Sequence, residues 1–149
     1  MPWMNSKTYE DYLNENGYLT YTFYGVSMNP MLKQGRDLFT VKSKGDERCH
    51  KYDVVLYRRR HQYVLHRIVE VREYDYVILG DNCINKEYGI RDEDIIGVLT
   101  EFLRNGKKIS IESKLYKFYS RFWYAIYPIR KVIVVVKGKL KGWVKRIRH

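Results

Sequence analysis

Between Tyr18 and Ile111 the chain is cut into short runs of Tyr, Thr, Val, Ile, Leu and Phe by glycines and polar turn residues. This punctuation limits the fold more than any other feature, because such runs are too short for stable helices and suit β-strands. Gly25 ends Tyr18–Tyr24, and Asp37–Ser43 and Asp53–Arg59 follow as further strands. Between them Lys44–Lys51 reads as a polar loop. A turn at His61-Gln62 leads into Tyr63–Glu73. There Val64, His66, Ile68 and Glu70 share one face, and Leu65, Arg67, Val69 and Val71 the other. Gly80-Asp81-Asn82 stops Tyr76–Leu79, and Asn105-Gly106 joins Ile95–Leu103 to Lys107–Ile111 as a hairpin. Six or seven strands so closely spaced predict a mainly β fold, an antiparallel sheet or small barrel.

Helical signals flank this region. Ser6 to Asn16 reads as a short helix capped by Ser6 and stopped by Gly17. From Glu112 the apolar period becomes helical. Leu115, Tyr119, Phe122, Trp123 and Ile126 fall on one stripe, read as a buried helix face, with Ser113 as cap and Pro128 as terminator. Residues 129–149 mix Val-rich and Lys/Arg-rich stretches without a firm assignment. The 149 residues suit one domain, 1–149, with a β core over 18–111 and a helical basic extension over 112–149.

The charge divides at nearly the same place. The formal net charge is +11. Residues 1–103 hold 14 basic and 16 acidic residues, whereas 104–149 hold 14 basic residues and one acid, Glu112. An anionic partner of the extension is therefore expected. Clustered Lys/Arg beside amphipathic segments suits an anionic membrane surface. Aromatics among the basic residues of Tyr116–Trp123 would also suit stacking on bases. No helix-turn-helix or zinc-finger pattern is present, which argues against nucleic acid. The N-terminus lacks a secretory leader. The apolar stretch Phe122–Val136 is split by Arg130, Lys131 and Pro128, too short and charged for a span. The expected location is cytoplasmic or peripheral at a membrane. Cys49 and Cys83 make no disulfide framework, and with four His they show no zinc-ligand spacing. No metal or cofactor is expected.

One stretch carries chemistry. Ser27 follows a strand and Gly25, and precedes Met28 and Pro30. A serine presented from a tight turn at a strand end supplies a nucleophile, and backbone N–H groups of that turn, those of Ser27 and Met28, supply an oxyanion site. An isolated serine in such a neighbourhood is ordinarily just a turn residue. His66, 39 positions later in a hydrophobic strand, adds a base whose usual pKa near 6.5 suits a serine proton. That base predicts activity rising through about pH 6–7.5. A carboxylate at Asp81 or Glu87 would orient the imidazole or brace the site.

These pieces, in this order, resemble the serine peptidases of the signal peptidase I superfamily, which includes the self-cleaving SOS-repressor-type peptidases. The matching elements are Gly25-Val26-Ser27-Met28-Asn29-Pro30, Gly35-Arg36-Asp37-Leu38, Tyr52–Arg58, Leu65-His66-Arg67-Ile68-Val69, Gly80-Asp81-Asn82 and Asp94–Gly97, over roughly residues 20–100. His followed by Arg at the base position is similar to the archaeal and endoplasmic-reticulum branch; typical bacterial signal peptidases place a Lys there. The resemblance implies Ser27 as nucleophile, His66 as base, and Asp81 or Glu87 as third member. Asp81 matches the Gly-Asp-Asn motif, and Glu87 lies nearer the offset of that branch's catalytic Asp. It implies a small antiparallel β-barrel-like fold and a peptide or precursor-protein substrate bound as an extended strand. Typical signal peptidases carry a membrane-spanning helix, whereas the 26 residues before Ser27 are polar. A soluble or peripheral peptidase acting on a leader peptide is the expectation. The alternative is a non-catalytic peptide- or nucleic-acid-binding module, or a self-cleaving regulator, on the same fold.

Overall fold

The computed structural model describes residues 8–148. Helix α1 (Tyr9–Asn16) starts at a capping box in which Thr8 Oγ1 accepts from the Asp11 N–H and the Asp11 carboxylate accepts from the Thr8 N–H. The cap is therefore Thr8; Ser6, the expected cap, lies outside the described residues. Gly17, at φ 79°, closes the helix in a left-handed conformation that costs glycine little.

Eight strands follow: β1 (Tyr18–Thr22), β2 (Leu38–Ser43), β3 (Val54–Arg59), β4 (Gln62–Val71), β5 (Tyr76–Leu79), β6 (Glu87–Ile90), β7 (Ile95–Arg104) and β8 (Lys107–Ser110). They form one antiparallel sheet in the order β1-β2-β7-β3-β4-β5-β6, with β8 beside β7. The fold is mainly β, as expected. The pairings make an open path, irregular in register at β2/β7, β3/β7, β4/β5 and β5/β6. Such irregularities bend strands and raise their twist. Two helices close the chain, α2 (Lys114–Ala125) and α3 (Tyr127–Ile147).

Alternation along the strands supplies two apolar faces. Leu19, Phe39, Leu56, Leu65 and Phe102 pack on one side with Tyr9 and Leu13 of α1. Val55, Tyr57, Ile68, Tyr76 and Ile78 pack on the other. Strand β3 is buried at four consecutive residues because both its faces are covered. A third cluster joins Val69, Val77 and Leu79 to Tyr127 at the start of α3.

Four local readings change. The β3–β4 turn falls at Arg60-His61, one residue earlier than expected, with Arg60 at φ 57°. Strand β6 was not expected: it is short and at the edge, with Gly89 at φ 77° and no alternation. The α2 stripe is not one buried face. Tyr116 and Ser120 point inward, while Leu115 is 80% and Phe122 49% exposed. Polar bonds to the sheet set the rotation of α2, as described below. Pro128 does not end a helix; it sits in the first turn of α3, where its missing N–H costs nothing.

Candidate active site

The turn that carries Ser27 leaves β1 through Phe23 and Gly25, the latter at φ 88°. The Gly25 N–H donates to Gln34 Oε1, and the Asn29 N–H donates to the Val26 carbonyl at 3.2 Å. The Asn29–Pro30 peptide is cis. The Met28 side chain is buried under the turn, and the Ser27 side chain is half-buried. Among the described residues no hydrogen bond engages the backbone N–H of Ser27 or of Met28. Both amides are available as donors. Downstream, Asp37 is buried and accepts from the Lys33 and Asn105 N–H groups, tying this loop to the β7–β8 hairpin.

Gly80-Asp81-Asn82 holds the Ser27 turn from the other side, and each of its residues has a separate task. The Asn82 N–H donates to the Ser27 carbonyl at 2.8 Å, and Asn82 Nδ2 donates to the Val26 carbonyl at 3.1 Å. Gly80 allows the approach. A Cβ there would lie 2.8 Å from the Ser27 carbonyl oxygen, 2.9 Å from His66 Nε2 and 2.7 Å from Cys83 Sγ. Serine backbone, imidazole and thiol thus converge on one point that only a residue without a side chain leaves open.

His66 is 5% exposed at the centre of the sheet, opposite Val55 on β3. Its Nδ1 lies 3.2 Å from the Tyr57 hydroxyl and 3.9 Å from Glu87 Oε1. The Glu87 carboxylate also acts on the Tyr57 hydroxyl, helping to hold its proton on. With Glu87 facing the hydroxyl proton, the tautomer that fits is the one in which the Tyr57 oxygen accepts from Nδ1–H. That assignment leaves Nε2, the nitrogen beside Gly80 and Ser27, unprotonated. Burial pulls the His66 pKa down to about 4; the Glu87 carboxylate opposes that fall and Arg59 adds to it. The imidazole is therefore neutral at pH 7, and its contact with Glu87 is not an ion pair there. Arg59 is ion-paired with Glu87. Burial, and then Glu87, push the Tyr57 hydroxyl far above its ordinary pKa, so it keeps its proton. Burial likewise raises the Cys83 thiol.

A scan against protein-family models gives no match, and no curated protein matches the chain. Ser27, His66 and Glu87 come together around Gly80 and Tyr57. No hydrogen bond joins Ser27 Oγ to His66 among the described residues.

Asp81 stands apart. Its carboxylate takes a bidentate pair from Arg67, at 2.8 Å from Nε and 2.9 Å from Nη2, and a bond from the Tyr119 hydroxyl at 2.7 Å. Arg67 is itself buried and also donates to the Tyr52 carbonyl and the Tyr116 hydroxyl. Asp81 therefore braces the turn and does not touch the imidazole. Its carbonyl accepts from Trp123 Nε1 at 2.7 Å and Arg130 Nη1 at 3.0 Å, which fastens α2 and the first turn of α3 to the Gly80-Asp81-Asn82 turn.

The sequence reading did not single out Tyr57, Arg59 or Cys83 for the site. Hairpin register carries the signal for Tyr57. Counting back from the β3–β4 turn puts it on the His66 face, one pair removed, where a diagonal neighbour with a long side chain still reaches. No group of three or more His, Cys, Asp or Glu side chains is placed to hold a metal among the described residues.

Proposed function

We propose that the chain is a serine endopeptidase similar to the Ser/His branch of the signal peptidase I superfamily, and that its sheet is a version of that superfamily's β-barrel-like fold. The observation that carries this reading is the meeting of His66 Nε2 and the Ser27 backbone against the bare Cα of Gly80, with Nδ1 held by Tyr57 beside Glu87. Ser27 Oγ attacks the scissile carbonyl while His66 Nε2 takes its proton and later returns it to the leaving amine. The imidazolium formed midway is stabilised by Glu87, which makes Glu87 the third member; Asp81 is a positioning residue. The free amides of Ser27 and Met28 receive the oxyanion. Strand β1 is at the sheet edge and runs straight into the Ser27 turn, so a substrate pairing along it as an extended strand is led to the nucleophile.

The test is mass spectrometry of a leader-bearing precursor peptide incubated with the wild type and with Ser27→Ala and His66→Ala. We expect one discrete cut, reduced by about three orders of magnitude or more in either variant. Cleavage undiminished in either variant would refute the mechanism. Tight binding of the same peptide by wild type without any cut would favour a non-catalytic peptide-binding module.

A further inference from the structure

Helix α3 presents a face that no described part of the chain covers. Ile129, Ile133, Val136, Leu140, Trp143 and Ile147 recur at alternating steps of four and three, which keeps them on one side of a helix. Each is between 47% and 63% exposed. By the same geometry Lys137 and Lys141 border the stripe on one flank, and Lys139 and Arg146 on the other. No acidic residue follows Glu112.

We propose that α3 lies flat in the interface of an anionic phospholipid bilayer, with this stripe toward the acyl chains and the flanking cations among the headgroups. The combination of an apolar face, a Trp within it and Lys/Arg along its borders is what such an interface rewards. No helix among the described residues is long and apolar enough to cross a membrane, so the orientation is in the plane. The competing occupants fit less well. Nucleic acid would satisfy the charge and leave the apolar stripe in water. A second copy would cover the stripe but set two cationic helices side by side, with no acidic residue in either to pair. Membrane binding does not rest on the peptidase reading. Ser27→Ala should bind vesicles like the wild type, so either proposal can fail while the other stands.

The experiment is co-sedimentation of the full chain with phosphatidylcholine vesicles and with vesicles containing added phosphatidylglycerol. We expect binding to the anionic vesicles only, weakening as salt is raised. Leu140→Asp, at a half-exposed site, should weaken binding at least tenfold, and Lys137→Glu with Lys141→Glu by on the order of tenfold or more. Circular dichroism checks that both variants remain folded. Equal binding to neutral vesicles, or none to anionic ones, overturns the proposal. So does tighter binding to an oligonucleotide that Leu140→Asp leaves intact, or a lipid-free dimer in sedimentation velocity that Leu140→Asp dissociates.

Discussion

Tyr57 decides which imidazole nitrogen is free. Its hydroxyl has one proton to give, and the Glu87 carboxylate can only accept it. Without that hydroxyl, His66 Nδ1 loses its nearest partner. Tyr57→Phe should therefore lower kcat about tenfold, the worth of one buried hydrogen bond, with KM little changed and an altered pH profile. A purely structural role would alter thermal stability and leave the pH profile unmoved. Ser27 and His66 could be singled out in the sequence because Gly25-Val26-Ser27-Met28 and Leu65-His66-Arg67 are local patterns. Tyr57 and Arg59 were not, because their relation to His66 exists only across a strand pair whose register depends on the turn. The two acidic candidates, Asp81 and Glu87, could not be separated by sequence either, since what parts them is the position of Arg67, which leaves the opposite face of β4 from His66.

At the scale of elements, the lock between β4, the β5–β6 connection and α2 is polar. Arg67 is fully buried, and Asp81 supplies its counter-charge. Removing one partner of such a pair leaves an uncompensated charge in the interior. We expect Asp81→Asn to cost about 3–5 kcal/mol of stability in denaturant unfolding, and Arg67→Met with Asp81→Leu to cost clearly less. Equal losses would mean that packing rather than charge holds the contact. This lock also explains why the α2 stripe reads wrongly from sequence. Apolar periodicity locates a buried face only when apolar contact chooses it. Here the hydroxyls of Tyr116 and Tyr119 and the indole N–H of Trp123 choose it, and Leu115 and Phe122 turn outward. The strands from β1 to β5, together with β7 and β8, were legible because alternation and turn residues mark them. Short β6 was not, because pairing with β5 defines it and its own composition does not.

At the scale of the molecule, one buried ring makes the stability of the whole fold depend on pH between about 6.5 and 4. The folded-state pKa of His66 is about 4, below the value of about 6.5 expected when unfolded. Above pH 6.5 the ring is neutral in both states and costs nothing. As pH falls from 6.5 toward 4, the unfolded chain takes up the proton first and stability is lost, by about 3 kcal/mol at pH 4. We expect His66→Gln to unfold with a shallower dependence over that window; an unchanged slope would show that other groups set it. The same value moves the acid limb of kcat/KM from the pH 6–7.5 expected for an ordinary histidine toward pH 4–5. The concentration of cations beyond residue 103 was visible in the sequence, and a helical extension over 112–149 was expected, but residues 129–149 had no firm assignment, since Val-rich and Lys-rich stretches alternate without caps. The structure makes Tyr127–Ile147 one 21-residue helix.

The hold of Arg130 on the Asp81 carbonyl gives that helix a second significance. The neighbouring Asn82 grips the Ser27 carbonyl, so α3 and the Ser27 turn are the two ends of one short lever. If a surface ordered α3 in a way that favoured the reactive arrangement of the turn, linkage would require the converse to the same degree. A peptide seated at Ser27 would then tighten the hold of α3 on the surface.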